Sequence, residues 1–433
     1  MRDENVLYWI WLSERCGAAS KDAGRIADRY SDPFDVYRME EEEIERIEGI
    51  SPACKLKLFD KSLENAYSIL KYCKQKKIDI ISYSDKRYPS RLRAIEDPPA
   101  ILYVLGALPN MDNRLCVGVV GTRDISEYGR DSAYKISYEL AAAGSVVVSG
   151  MALGVDGVAA CGALAAGGQT VAVLGCGISV VYPKEHSKLM SEIAKRGAVI
   201  TEYPPFERPY GYNFPKRNRI ISGLCQGVLV VEGTAGSGAL ITAKRAVDQG
   251  RELFALPGKV NENNSDGPNE LIKNGALVAL SADDIIEHYD FLYHDCINYK
   301  GLRQAKLGGS DLERALKKYG VGGVYGSGKG GEKKIPESAE SFPTAEAQNN
   351  VTEEPKKEAV TAERAKPDRS AELLRGLDSV SRRVFEAMPV DRAVAPDGLS
   401  LDGVGIGELI TALTMLEISG LVQSLPGGMY VRK

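Results

Sequence analysis

Between residues 115 and 280 the chain alternates short apolar runs with longer amphipathic stretches. The apolar runs fall at 116–120, 146–149, 170–174, 198–201, 227–231, 253–256 and 277–279. They are nearly continuous, without a polar residue at every second position. Strands of that kind are buried on both faces, the mark of a parallel sheet covered by helices. Helical spacing occupies 127–143, 157–166, 186–195 and 239–249, and Gly144 and Gly250 are placed to end two of these helices in the left-handed conformation. The pattern predicts an α/β fold built on a doubly wound, mostly parallel sheet.

The flanks read differently. Residues 1–75 have helical periodicity, with one helix at 35–46, a break at Gly49, Ser51 and Pro52, and a further helix through Leu70. A helix, a glycine-containing turn and a second helix resemble a SAM or helix-hairpin-helix module, whose turn amides can hold a phosphate; the plain alternative is a helical packing unit. Residues 76–296 form the core with its N-terminal extension, which adds short strands at 78–82 and 100–105. Residues 297–370 are rich in charge, Gly and Pro and read as a flexible linker. Residues 371–433 recover periodicity: helices at 379–388 and 407–419, then a hairpin formed by 421–424 and 429–432. That order suggests a winged-helix-like domain. Its second helix carries Glu408 and Glu417 but no Lys or Arg, which favours protein contact over duplex reading.

Charge sharpens the picture at one place. Lys216, Arg217 and Arg219 lie within four positions, after a proline-interrupted run and just before the apolar Ile220 and Ile221. Cations leading into a buried segment suggest a rigid anion site, and nucleic acid is the natural polyanion. The whole chain has a formal net charge of −4, so such a site must be local rather than a basic coat.

Eight cysteines without a Cys-x-x-Cys pair suggest a reduced, cytoplasmic protein. The N-terminus lacks signal-peptide features, and the apolar run 7–12 is too short to cross a membrane. Three histidines make a metal centre or a Ser-His-Asp triad a poor reading, and no cofactor is expected.

Four strand-end loops are unusual. Gly121, Arg123 and Ser126 follow the first core strand; Gly150 and Asp156 follow the second; Gly175 and Gly177 follow the third; Ser237 and Gly238 open the 239–249 helix. Such loops present amides at helix starts, where an anion is favoured, and Arg123 adds a forked cation. None of them is a dinucleotide or Walker-type motif. Asp156, Glu202 and Glu232 at strand ends are candidate acids or bases, with structural roles favoured: Asp156 as a cap or cation orienter, Glu232 as a partner for a cation such as Arg219.

Taken together, these segments resemble the DNA-processing protein A family, also called DprA or Smf. The resemblance rests on Gly121-Thr122-Arg123 with Ser126, Ser149-Gly150-x-Ala152-x-Gly154-Val155-Asp156, Tyr182-Pro183, Phe214-Pro215-Lys216-Arg217-Asn218-Arg219, Val230-Val231-Glu232 and Ser237-Gly238-Ala239. It implies a Rossmann-like core that binds single-stranded DNA, forms a homodimer and helps load the RecA recombinase, without catalysis. The implied phosphate-binding residues are Gly121, Arg123, Ser126, Lys216, Arg217, Arg219, Ser237 and Gly238, supported by Gly150, Asp156, Phe214, Asn218 and Glu232. Departures from the family pattern are Ala160 where a histidine is usual, the region around Ser179 where an aspartate is usual, and His186 where an asparagine is common.

The rival class is an enzyme. Lysine-decarboxylase-like nucleotide phosphoribohydrolases share a similar core and a glycine-rich phosphate loop, with an acid a few residues beyond it. Here Gly236, Ser237 and Gly238 lead into Ala239, Leu240 and Ile241 with no acid nearby.

Overall fold

The computed structural model describes residues 3–308, 311–321, 379–389, 421–425 and 429–432, with isolated positions between 394 and 417. These belong to two compact units, 1–333 and 334–433.

The first unit opens with six helices: α1 (Asp3–Cys16), α2 (Lys21–Arg29), α3 (Pro33–Tyr37), α4 (Glu41–Glu45), α5 (Pro52–Leu58) and α6 (Glu64–Lys76). Trp9, Ile10, Trp11 and Leu12 on α1 form its buried centre. The single helix expected at 35–46 is two, because Asp32 and Glu40 each start a new turn through their own caps. The helix expected through Leu70 likewise divides between α5 and α6. The turn before α5 is no phosphate seat. Its Ser51 amide and hydroxyl both donate to the Asp22 carboxylate, at 3.2 and 2.6 Å. An acid already occupies the place an anion would take, so the head is a helical packing unit.

The core is a nine-stranded sheet in the order β1-β2-β6-β5-β4-β3-β7-β8-β9. Its strands are β1 (Asp79–Ser82), β2 (Ile101–Gly106), β3 (Cys116–Val120), β4 (Val146–Ser149), β5 (Thr170–Val173), β6 (Ala198–Thr201), β7 (Gly227–Val230), β8 (Glu252–Ala255) and β9 (Leu277–Val278). β1 and β2 pair antiparallel and β2 joins β6 antiparallel, whereas every pair from β6 across to β9 is parallel. The β3, β4, β5, β6 and β7 residues are buried throughout, as continuous apolar runs require.

Helices α7 (Ser90–Arg93), α8 (Glu127–Ala142), α9 (Val155–Ala165), α10 (Ser187–Arg196), α11 (Asn213–Leu224), α12 (Gly238–Asp248), α13 (Asn263–Lys273) and α14 (Ala282–Tyr293) complete the core. Gly144 and Gly250 have φ of +86° and +65°, as helix-ending glycines should. The chain runs from β3 outward to β4 on one side and places β7 on the other. The strand order therefore reverses beside β3, where open α/β sheets place their ligand crevice.

The segment from 297 departs from expectation. Residues 299–319 form two helices, α15 (Tyr299–Gly308) and α16 (Leu312–Tyr319), packed on α8 and α9. Leu302, Leu316, Tyr319 and Val321 are buried, and the Tyr319 hydroxyl donates to the Leu164 carbonyl at 3.1 Å. The charge-rich composition conceals a narrow apolar stripe at helical spacing. Residues 322–370 of the expected linker lie outside the described residues.

In the second unit, helix Ser379–Ala387 and a hairpin of β10 (Val422–Leu425) with β11 (Met429–Arg432) enclose a core that includes Val384, Leu413, Leu416 and Val422. Val394 pairs with Tyr430 of β11 through an isolated antiparallel bridge. Most of the helix expected at 407–419 lies outside the described residues.

One glycine fixes the β4–α9 turn. Gly154 has φ +75°, and a Cβ there would sit 2.2 Å from the Thr122 carbonyl oxygen. Gly154→Ala should cost at least about 1–3 kcal/mol from backbone conformation alone. A lower urea midpoint with an unchanged slope is the expected reading.

Candidate nucleic-acid interface

Three strand-end loops are stitched into one floor. The Thr122 amide donates to the Glu232 carbonyl at 2.8 Å, and the Val155 amide donates to the Thr122 carbonyl at 3.1 Å. Gly121 makes this possible: a Cβ there would lie 2.4 Å from the Val155 side chain. Above the floor lies a hollow of about 440 Å³, lined in part by Arg123, Asp156, Phe214, Arg217, Ser237 and Gly238.

The cation cluster sits at the start of a helix, α11. Pro215 falls in the first turn of α11, where a missing N–H costs nothing. At about 100° per residue, neighbouring cations on a helix face different ways. Arg217 turns inward under the hollow. Its Nη1 donates to the Gly150 carbonyl at 2.8 Å and also to the Val173 carbonyl, while Nε has no partner among the described residues. Gly150 is the space that admits it, since a Cβ would lie 2.3 Å from the guanidinium.

Asp156 is buried beside Arg217. Its carboxylate accepts from the Gly150 amide at 3.1 Å and the Ala152 amide at 3.4 Å. Burial pushes its pKa up, against the pull of Arg217, the Ala152 amide, the Ser149 hydroxyl and Arg123. Burial likewise lowers the Arg217 pKa, with Asp156 opposing.

Arg123 is exposed at the rim, its guanidinium 5.5 Å from the centre of the Phe214 ring. Arg217 lies 5.9 Å from the same ring, so two guanidinium groups flank one aromatic wall. Asn218 donates to the Gly238 carbonyl at 3.3 Å and ties α11 to the start of α12. Ser237 is the N-cap position of α12 but makes no capping bond, and its buried hydroxyl has no partner among the described residues. An unsatisfied hydroxyl and the first amides of a helix meet at the hollow, a natural arrangement for an anion.

Three expected site residues lie elsewhere or are already engaged. Arg219 points about 200° round the helix from Arg217. Its side chain is 2% exposed and grips Glu202 with both terminal nitrogens, at 2.6 and 2.7 Å; Asp97 lies 3.2 Å from Nε. It therefore faces the sheet and the helical head rather than the hollow, and its partner is Glu202, not Glu232. Ser126 accepts from the Gly129 amide as the α8 cap, while its amide and hydroxyl both donate to Glu232, leaving no hydroxyl proton for a phosphate. Lys216 is exposed outside the hollow, its Nζ 5.6 Å from the centre of the Tyr212 ring.

Glu232 also receives Asn264 at 3.5 Å, and Asn264 donates to the Asp124 carbonyl at 2.8 Å. Asn264, Asp97 and the Glu202 pairing carried no local signal, because they meet the site only through long-range packing.

His186 closes the back of the β4–α9 turn. It is buried, and Nδ1 donates to the Met151 carbonyl at 3.0 Å. Burial pushes the imidazole pKa below 6.5, against the Met151 bond and Asp156. The folded chain thus holds this proton less readily than the unfolded chain. Stability present above pH 6.5 should be lost as pH falls through that value. Urea melts between about pH 7 and pH 5 should show a decline that His186→Gln flattens.

A doubly wound sheet carrying a cationic, glycine-floored hollow at its switch point defines a protein of the Rossmann-like class. Residues 79–290 match the model for the DNA recombination-mediator protein A family, and residues 365–428 match that for the DprA winged helix domain. The chain is 40% identical to the DNA processing protein DprA of Bacillus subtilis over 219 residues, 51% of this chain and 74% of that protein. It is 29% identical to a Smf protein of Synechocystis over the full length of both. The crystal structure of DprA from Streptococcus pneumoniae superposes with a TM-score of 0.57 at 35% identity, covering 65% of this chain and 97% of that one. The chain belongs to the DNA recombination-mediator protein A family.

Proposed function

We propose that this protein binds single-stranded DNA without catalysis, protects the incoming strand and helps load the RecA recombinase in natural transformation and recombination. One observation carries the reading: Arg123 and Arg217 flank Phe214 above a glycine floor, facing the unpartnered Ser237 hydroxyl and the α12 amides. Phosphates would enter this hollow, with Arg123 as the mobile clamp, Arg217 as the fixed charge beneath, and Gly121, Ser237 and Gly238 supplying close backbone approach. Asp156, Gly150, Asn218 and Glu232 hold that frame. Contacts of this kind position a strand and read little sequence.

The protein is proposed to act in the cytoplasm; among the described residues no helix is long and apolar enough to cross a membrane. We place the homodimer face on the core at the open sheet edge. There β9 leaves Leu277, Val278 and the following Leu280 exposed, and an unpaired apolar edge favours association. Two hollows on one strand would raise avidity.

The phosphoribohydrolase reading gains no support from the site's acids. Glu232 is engaged by Ser126 and Asp156 by two amides. Two assays test the proposal. The protein should shield oligo-dT from a single-strand nuclease and release no base from nucleoside monophosphates. Base release, or digestion at the unprotected rate, contradicts it.

A further inference from the structure

The loop between β6 and α11 presents an aromatic surface that the phosphate hollow does not use. Its shape is fixed: Pro204, Pro205 and Pro209 restrict the backbone. The Gly177 amide donates to the Glu207 carbonyl at 2.8 Å and the Ser179 amide to the Pro205 carbonyl at 2.9 Å. Phe206 anchors the loop to the helical head, its ring 4.5 Å from that of Tyr72 on α6.

Tyr210 and Tyr212 then stand out from the loop, 43% and 61% exposed. Their rings are stacked 5.4 Å apart with an interplanar angle of 5°. Gly211 between them lines the hollow, and the exposed Lys216 ammonium lies over the Tyr212 ring. Flat rings and a solvent-facing cation thus adjoin the place where a phosphate would be held. Large aromatic rings exposed side by side mark a binding surface. Alternation of cation and aromatic face matches a strand in which phosphate alternates with base.

We propose that Tyr210 and Tyr212 form a nucleobase-stacking subsite that extends the strand path out of the hollow, with Lys216 meeting the intervening phosphate. The proposal rests on the single-stranded DNA reading above. It gives Lys216 a role outside the hollow, and it makes part of the affinity depend on bases rather than on charge.

The test is a salt-titrated binding series with two ligands: oligo-dT, and a phosphodiester of equal length lacking bases. Tyr210→Ala, Tyr212→Ala and the double variant are compared with Tyr210→Phe and Tyr212→Phe, with a melt for each to show that it is folded. The double alanine variant should bind oligo-dT about tenfold more weakly, with an unchanged salt slope and little change toward the baseless strand, while the phenylalanine variants retain affinity. Wild-type affinity of the double alanine variant for oligo-dT overturns the subsite but leaves the hollow standing. Equal loss on both ligands also overturns it, because the rings would then act through pocket shape or charge. If the unaltered protein binds neither strand, the functional reading falls and the subsite with it.

Discussion

Arg219→Ala should destabilise the protein by about 3–5 kcal/mol, the usual result of removing one partner from a buried ion pair. Arg219 is almost wholly enclosed, and burial works against its charge; Glu202 pairing overcomes that and holds it firmly ionised. Without it, the buried Glu202 carboxylate keeps only the Ala19 amide at 3.1 Å among the partners described here. That amide belongs to the turn between α1 and α2, so the same cluster joins the helical head to the site helix. Urea unfolding should show the lower midpoint, and adding Glu202→Gln to Arg219→Ala should recover part of the loss by removing the stranded charge. A loss below about 1 kcal/mol, together with a reduced salt slope for DNA, would restore Arg219 to the binding surface.

Arg123→Ala should do the reverse, leaving stability intact and weakening binding. Its side chain is exposed and makes no ion pair among the described residues, so its removal strands no buried group. A charge-assisted phosphate contact is worth roughly 1.5–3 kcal/mol, which is about ten- to a hundredfold in affinity at low salt. The loss should be uniform across sequences and reduce the salt slope by about 0.7–1. Arg217→Ala is the less direct probe, because it also frees the Gly150 and Val173 carbonyls and leaves Asp156 buried without its main counter-charge.

The sheet was legible because most of the parallel strands are short apolar runs, and β3, β4 and β6 begin and end where those runs do. The loops that line the hollow were legible too, since Gly121 and Gly150 interrupt the pattern just after strands and Gly238 opens a helix. The cation cluster was only half legible. Residue type announced an anion site, but periodicity distributes Lys216, Arg217 and Arg219 over three directions, and Pro215 disguised the helix that does so. Glu232 has other partners than the expected Arg219, because Ser126 and Asn264 reach it from distant parts of the chain. Helices α15 and α16 were hidden by their charge, their apolar stripe being one residue wide in most turns.

Everything functional here depends on Arg123 and Arg217 converging on one electropositive hollow suited to an unpaired strand. The most direct measurement is a salt titration of binding to oligo-dT and to a duplex of equal length, made on the unaltered protein and on Arg123→Ala. The account predicts tighter binding to oligo-dT, falling with salt, and a shallower slope for the variant. Equal or tighter duplex binding, or an oligo-dT slope that Arg123→Ala leaves unchanged, would contradict it.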